Sequence, residues 1–178
     1  ICRWRGVTKP NSGKKLYMRY GLSVVLCAFV MAECASAQEI VESQEHDFRV
    51  ETFAEGFGVP WGMAFLPDGR LLVTEREGAL RVVGKEGRLS APVEGVPEVR
   101  AEGQGGLMDV ALHPQYAQNG WIYLSFSDPL RGPIGGTLGY TAIARGKLRG
   151  KRLVSVEVIY RVPERFYSPH SHHYGARI

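Results

Sequence analysis

The chain has 178 residues, enough for one domain of ordinary size, and a formal charge of +4 that is unevenly placed. Residues 1–37 hold Arg3, Arg5, Lys9, Lys14, Lys15 and Arg19 against Glu33. Residues 38–178 hold 16 basic and 17 acidic side chains, and the basic stripe that a nucleic-acid partner would need is not visible, so none is expected. Cys2, Cys27 and Cys34 all precede residue 38, so the body can form neither a disulfide nor a cysteine-based metal site.

Met18 and Arg19 precede an apolar run of 12 residues, Gly21 to Ala32, and then Ala35-Ser-Ala37. Small residues at the −3 and −1 positions suit signal peptidase, so cleavage after Ala37 is expected. Twelve helical residues at about 1.5 Å each fall short of the roughly 30 Å of hydrocarbon in a bilayer, so no stable membrane span is expected after cleavage. Residues 1–37 are set aside as a leader, with the true start expected at Met18 and a periplasmic or secreted destination. The chain begins at Ile1 and stops at Ile178, just after a His/Gly/Arg cluster, and reads as the N-terminal portion of a longer protein.

From Phe48 onward the pattern is strand, turn, strand. Phe48 to Phe53 alternates apolar and polar residues, as a half-buried strand does. Trp61-Gly-Met-Ala-Phe-Leu66 is a near-continuous apolar run, consistent with an interior strand. Pro67-Asp-Gly-Arg70 has tight-turn chemistry, because Pro presets φ and Gly tolerates positive φ. Strands are then predicted over residues 71–74 and 80–83, with turns at Glu77-Gly78 and over residues 84–88. A second group follows: Leu107 to Leu112, a turn at His113-Pro114, Trp121 to Phe126, Tyr140 to Arg145 and Val154 to Tyr160. Residues 132–139 read as a Gly-rich hairpin loop. No helical period is sustained over ten residues.

Short strands at near-regular spacing indicate an all-β sandwich, barrel or propeller. Trp61 and Leu107 open similar runs 46 positions apart, close to one propeller blade. Blades bury their faces by stacking around an axis. Two blades cannot close a ring, so this stretch is not expected to fold stably alone.

Two places could carry chemistry. In Gly103-Gln-Gly-Gly-Leu107, glycines allow close backbone approach, and Gln104 offers both a donor and an acceptor. Its amide could meet a sugar hydroxyl or satisfy loop backbone groups. His170, His172 and His173 lie in Ser168-Pro-His-Ser-His-His-Tyr-Gly-Ala-Arg177. The i, i+2 spacing of His170 and His172 admits zinc, but no carboxylate partner is evident and no metal ligand is assigned. An imidazole titrating near neutral pH could instead be a general base; a solvated polar loop is the third reading. Asp68, Asp109 and Asp128 form no recognisable carboxylate pair, and His113 reads as a turn residue.

Three stretches together resemble the glucose/sorbosone dehydrogenase family of soluble aldose sugar dehydrogenases: residues 59–76, Gly103-Gln-Gly-Gly-Leu-Met-Asp-Val-Ala-Leu-His-Pro114, and His173-Tyr-Gly-Ala-Arg-Ile178. The likeness runs from about Phe48 to Ile178. It implies a six-bladed β-propeller, with roughly the first two blades in residues 38–178, that binds pyrroloquinoline quinone (PQQ) and calcium. It further implies that His173 is the general base, drawing the proton from a sugar C1 hydroxyl while C1 passes hydride to the quinone and a lactone forms. Gln104 would contact the sugar and Arg177 would be structural. His172 stands where some relatives place a sugar-touching Asp. The cofactor and calcium contacts are expected beyond Ile178, so the chain alone is expected to be inactive. The partners implied are a sugar and an electron acceptor. The competing readings are a non-catalytic extracellular propeller that only binds, and a metal-dependent hydrolase of propeller type.

Overall fold

The computed structural model describes residues 2–6 and 40–178. The leader and its cleavage site lie outside the described residues, apart from 2–6. Backbone contacts divide the chain into two units, one ending at Phe53 and one running from Ala54 to Ile178.

In the first unit, β1 (Cys2–Gly6) and β2 (Ile40–Val41) flank β3 (Phe48–Thr52) in an antiparallel sheet, with Cys2 opposite Thr52 and Gly6 opposite Phe48. β3 falls where the alternation predicts it. β1 falls in a segment that the sequence assigns to the leader, where no strand was expected.

The second unit holds two antiparallel sheets. β4 (Pro60–Phe65), β5 (Leu71–Glu75) and β6 (Leu80–Val83) follow one another in space as in sequence. The Pro67–Arg70 turn closes as its residues dictate. The Leu66 N–H donates to the Arg70 carbonyl at 2.8 Å, and the Asp68 carboxylate accepts from the Arg70 N–H and guanidinium. Leu89 forms a single antiparallel bridge to Val83, a rudimentary fourth strand. The second sheet has four full strands: β7 (Leu107–Leu112), β8 (Trp121–Arg131), β9 (Thr137–Arg149) and β10 (Arg152–Arg161), in the order β10-β9-β8-β7. This up-and-down meander is the pattern of a propeller blade, whereas a sandwich exchanges strands between sheets by Greek-key connections. A single turn of helix, α1 (Tyr116–Asn119), occupies the loop after His113-Pro114.

The two sheets share one core. Leu66, Leu72 and Leu80 from the first meet Leu107, Val110, Leu124 and Phe126 from the second. At about 25 cal/mol per Å² of apolar surface removed from water, this contact is what joins the blades. Gly62 is required there: a Cβ would stand 2.8 Å from the Met108 carbonyl oxygen. Thr74 Oγ1 then locks the seam, accepting from the Gly62 N–H at 2.8 Å and donating to the Met108 carbonyl at 2.5 Å.

The interior strand of the first blade is β5, whose five residues are all buried, and not the Trp61–Leu66 run. β4 is an edge strand. Gly62 and Ala64 turn to the second blade, while Trp61, Met63 and Phe65 on the other face are 46, 59 and 70% exposed. An unbroken apolar run encodes burial on both faces, and the described residues cover one of them. β8 and β9 also extend past their predicted ends, to Arg131 and Arg149, and the Gly-rich hairpin narrows to a tip where the Gly132 N–H donates to the Gly136 carbonyl. Among the described residues no helix is long and apolar enough to cross a membrane.

Candidate functional site

The three stretches singled out in the sequence converge on one rim of the two blades. The Arg76 carbonyl accepts from the Leu107 N–H at 3.0 Å, and the Arg76 guanidinium donates to the Gly103 carbonyl at 3.1 Å. Asp109 on β7 accepts from the Ile178 N–H at 2.9 Å. Ser125 Oγ donates to the Ala176 carbonyl at 2.5 Å, and Thr141 Oγ1 on β9 accepts from the Gly175 N–H at 3.1 Å. Segments 27 to 69 positions apart in sequence are thus sewn together by main-chain polar groups, which a packed structure must satisfy.

The glycines of residues 103–106 do make close approaches, and each is to the chain's own backbone. A Cβ on Gly106 would sit 2.1 Å from the Arg76 carbonyl oxygen, one on Gly105 2.7 Å from that of Arg100, and one on Gly103 2.5 Å from that of Ser171. Ser127, buried on β8, fixes the loop's exit by accepting from the Gly106 N–H at 2.7 Å and donating to the Arg100 carbonyl at 2.6 Å.

Gln104 and His173 are brought together. The Gln104 N–H donates to the Ser171 carbonyl at 2.8 Å, and Gln104 Oε1 accepts from the His173 N–H at 2.8 Å. Half of the Gln104 amide is therefore committed to a loop backbone group. Its Nε2 meets no acceptor among the described residues. His173 has φ of +63°, a left-handed backbone that costs a non-glycine residue about 1–2 kcal/mol. The hydrogen bond from its N–H is part of what holds it there. Its exposed ring lies edge-on to that of His172, with centroids 6.2 Å apart and planes at 84°.

His170, His172 and His173 line an open cleft of about 440 Å³ together with Tyr140, Thr141, Ser168 and Tyr174. No carboxylate lines it; Gln104 is not among the lining residues but adjoins them through its bond from the N–H of His173. Among the described residues no three His, Cys, Asp or Glu side chains are grouped to hold a metal ion. His113 is a turn residue: Nδ1 accepts from the Gln115 N–H at 2.9 Å, and the ring stacks on Tyr123. Arg177 makes no hydrogen bond or ion pair among the described residues, so the anchoring of this segment falls to other groups.

Two buried polar groups have roles that the sequence reading did not assign: Arg100, which it did not single out, and Asp128, which it read only as an unpaired carboxylate. Arg100 is 6% exposed and gathers the backbone that carries the histidines. Its NH1 donates to the Ser168 and His170 carbonyls, and its NH2 to the Pro169 carbonyl and to Glu102. Asp128 on β8 accepts from Arg161 at 2.5 and 3.0 Å and from the Tyr167 hydroxyl, tying β10 and the turn before Ser168 to the sheet. Burial first, and the Asp128 bond second, push the Tyr167 phenol well above its ordinary range. Neither role carries a local sequence signal, because the carbonyls that Arg100 binds and both partners of Asp128 lie more than 30 positions away.

The model of the glucose/sorbosone dehydrogenase family matches residues 57–178. The chain is 37% identical over 134 residues to Aldose sugar dehydrogenase YliI of Escherichia coli, covering 72% of this chain and 34% of that protein. It is 30% identical over 111 residues to Quinoprotein glucose dehydrogenase B of Acinetobacter calcoaceticus, covering 60% and 23%. Superposed on the crystal structure of the soluble aldose sugar dehydrogenase of Escherichia coli in its apo form, it gives a TM-score of 0.56 at 39% identity, over 62% of this chain and 31% of that one. The chain spans about a third of the length of the curated relatives it matches, 36% and 34% for two of them. With the family model covering residues 57–178 and the blades folded as described, this chain belongs to the glucose/sorbosone dehydrogenase family.

Proposed function

We propose that the full-length protein oxidises an aldose at C1 to the lactone, with His173 as general base and a bound quinone as acceptor. The observation that carries this reading is the placement of His173. Its imidazole stands on a cleft without carboxylates, and its backbone is fixed by the amide of Gln104. A neutral imidazole there can take the C1 hydroxyl proton. The free Nε2 of Gln104 and the ring of His172 would donate to other sugar hydroxyls, setting which oxygen faces the base.

The lining suits an anionic, oxygen-rich cofactor such as PQQ on charge, because hydroxyls and imidazoles face the cleft and no acid does. The relative named as a quinoprotein glucose dehydrogenase supports the same choice. On this chain Thr141 and His170 would be the donors toward it, while its cationic contacts and the calcium ligands would come from sequence after Ile178. When bound, the quinone supplies the two-electron acceptor for the hydride of C1. The protein would be exported by its leader to the periplasm or beyond; a mature N-terminus at Gln38 checks this, and an intact Met18 start excludes it.

In the full-length protein supplied with PQQ and calcium, His173→Ala should lower turnover by about 10²–10⁴-fold, the usual worth of a positioned base, with PQQ still bound. Gln104→Glu keeps an acceptor for the His173 N–H but loses the donor, so it should raise KM for sugar more than it lowers kcat. Unchanged turnover in His173→Ala would remove His173 from the mechanism and leave a propeller that binds without reacting.

A further inference from the structure

We infer that Arg100 is a positioning residue for His173: a buried guanidinium that clamps three successive carbonyls and thereby fixes the direction in which the histidine segment runs on from Ser168. The inference rests on the reading of His173 as the base.

A guanidinium has five N–H groups in a planar fork. At Arg100 all five have acceptors in reach. Nε and NH2 donate to Glu102 Oε2 at 3.2 and 2.7 Å; NH2 also donates to the Pro169 carbonyl at 2.8 Å; NH1 donates to the Ser168 and His170 carbonyls at 3.1 and 3.3 Å. The side chain is 5% exposed, against 60% for that of Glu102. A buried cation held mainly by neutral carbonyls is a weak means of adding stability, since well-packed apolar groups often do as well. What it does supply is geometry. Three consecutive carbonyls turned to one centre define the path of residues 168–170, and the chain then has two residues before His173.

His173 needs such support from both sides. Its left-handed backbone persists only where the surroundings over-determine it. Upstream lies the Arg100 clamp; at the residue itself lies Gln104 Oε1; downstream the Gly175 N–H is held by Thr141. Arg100 and Gln104 belong to the same short loop, whose exit Ser127 fixes on β8. The loop therefore carries one group for the histidine backbone and another for the path that leads to it.

Lysine tests this, because its ammonium keeps the charge but cannot span three carbonyls in one plane. In the full-length protein, Arg100→Lys should speed amide hydrogen exchange about tenfold or more over residues 168–175 while the amides of β5 and β8 keep their protection. Sugar turnover should fall by about 10²-fold, as expected for a displaced catalytic group, with KM changed much less. Combined with His173→Ala, the lysine should cost nothing further. Faster exchange spread evenly over the chain, unchanged exchange at 168–175, or a full additional loss in the double variant would each overturn the inference. If Arg100→Lys does not fold, Glu102→Ala frees one arm of the clamp from the surface side. It should raise exchange in the same segment alone, and no rise there overturns the inference equally. Unchanged turnover in His173→Ala defeats the base assignment separately, and the exchange pattern still decides whether Arg100 holds the segment.

Discussion

The two blades bury different kinds of side chain. In the first, Leu71, Leu72, Val73, Leu80 and Val83 are at most 1% exposed, and polar burial is confined to Thr74 and Glu75 at the end of β5. In the second, β8 buries Ser125, Ser127 and Asp128 in succession beside Phe126. Both polar stretches lie on the rim where Arg76, the 100–106 loop and residues 168–178 meet. Apolar contact holds sheets together but is non-directional. Hydrogen bonds to buried hydroxyls are directional and costly to break. The first blade therefore gives the rim a platform, and the second fixes the path of the chain across it.

The junction itself should give the largest effect. Gly106 has φ of +147°, and a Cβ on it would overlap the Arg76 carbonyl, backbone against backbone. In the full-length protein, Gly106→Ala should lose about 4 kcal/mol or more, through overpacking added to a disfavoured backbone. Gly120, with φ of +68° and nothing within 4 Å of its Cβ position, is the control and should lose only about 1–2 kcal/mol as alanine. Equal losses in urea unfolding would mean that the seam between the blades yields to an added methyl group.

Next come paired substitutions, one in each blade. Leu72→Ala should cost about 2–5 kcal/mol while leaving the kcat of the folded molecules unchanged, since it empties core volume away from the rim. Ser127→Ala should cost less, about 1–3 kcal/mol, for the Gly106 N–H and Arg100 carbonyl left without their partner. Yet it should lower kcat about tenfold, because that hydroxyl fixes the loop that holds His173. If Leu72→Ala lowers kcat as much as Ser127→Ala does, the division between platform and path is wrong.

The same division explains what could be read from the sequence. Alternation at 48–53, the Pro-Asp-Gly turn and the 46-residue recurrence are local, so β3 to β7 lie within a residue or so of their expected places. The extension of β8 through Ser127-Asp128-Pro129-Leu130-Arg131 was not legible, since those residues have little strand preference. Pairing to residues 137–141 and the Asp128–Arg161 ion pair hold them extended. His173 and Gln104 could be named from their motifs, and their meeting is observed. That Gln104 would use its carbonyl oxygen on the His173 backbone could not be foreseen, nor could the left-handed φ. Arg100 was hidden for the same reason: a guanidinium bonded to carbonyls 68 to 70 positions away leaves no pattern in sequence.

The mildest effect should appear at Tyr167, where the path across the rim begins. Its hydroxyl donates to Asp128, and burial together with that bond keeps the phenol protonated well above its ordinary pKa of about 10. The unfolded chain loses this proton as pH passes 10, while the folded state keeps it. Stability from Tyr167 is thus fully present below pH 10 and declines as pH rises above it. Tyr167→Phe has no proton to lose. At pH 8 the variant should be less stable by about 1 kcal/mol, one hydrogen bond to the carboxylate being gone while Arg161 remains. From pH 10 upward its melting temperature should converge on that of the parent, because only the parent carries the alkaline loss. Parallel curves from pH 8 to 11 would show that Tyr167 titrates alike in both states. The buried bond at Asp128 would then contribute packing to the second blade and no directional hold on the chain that leads to the histidines.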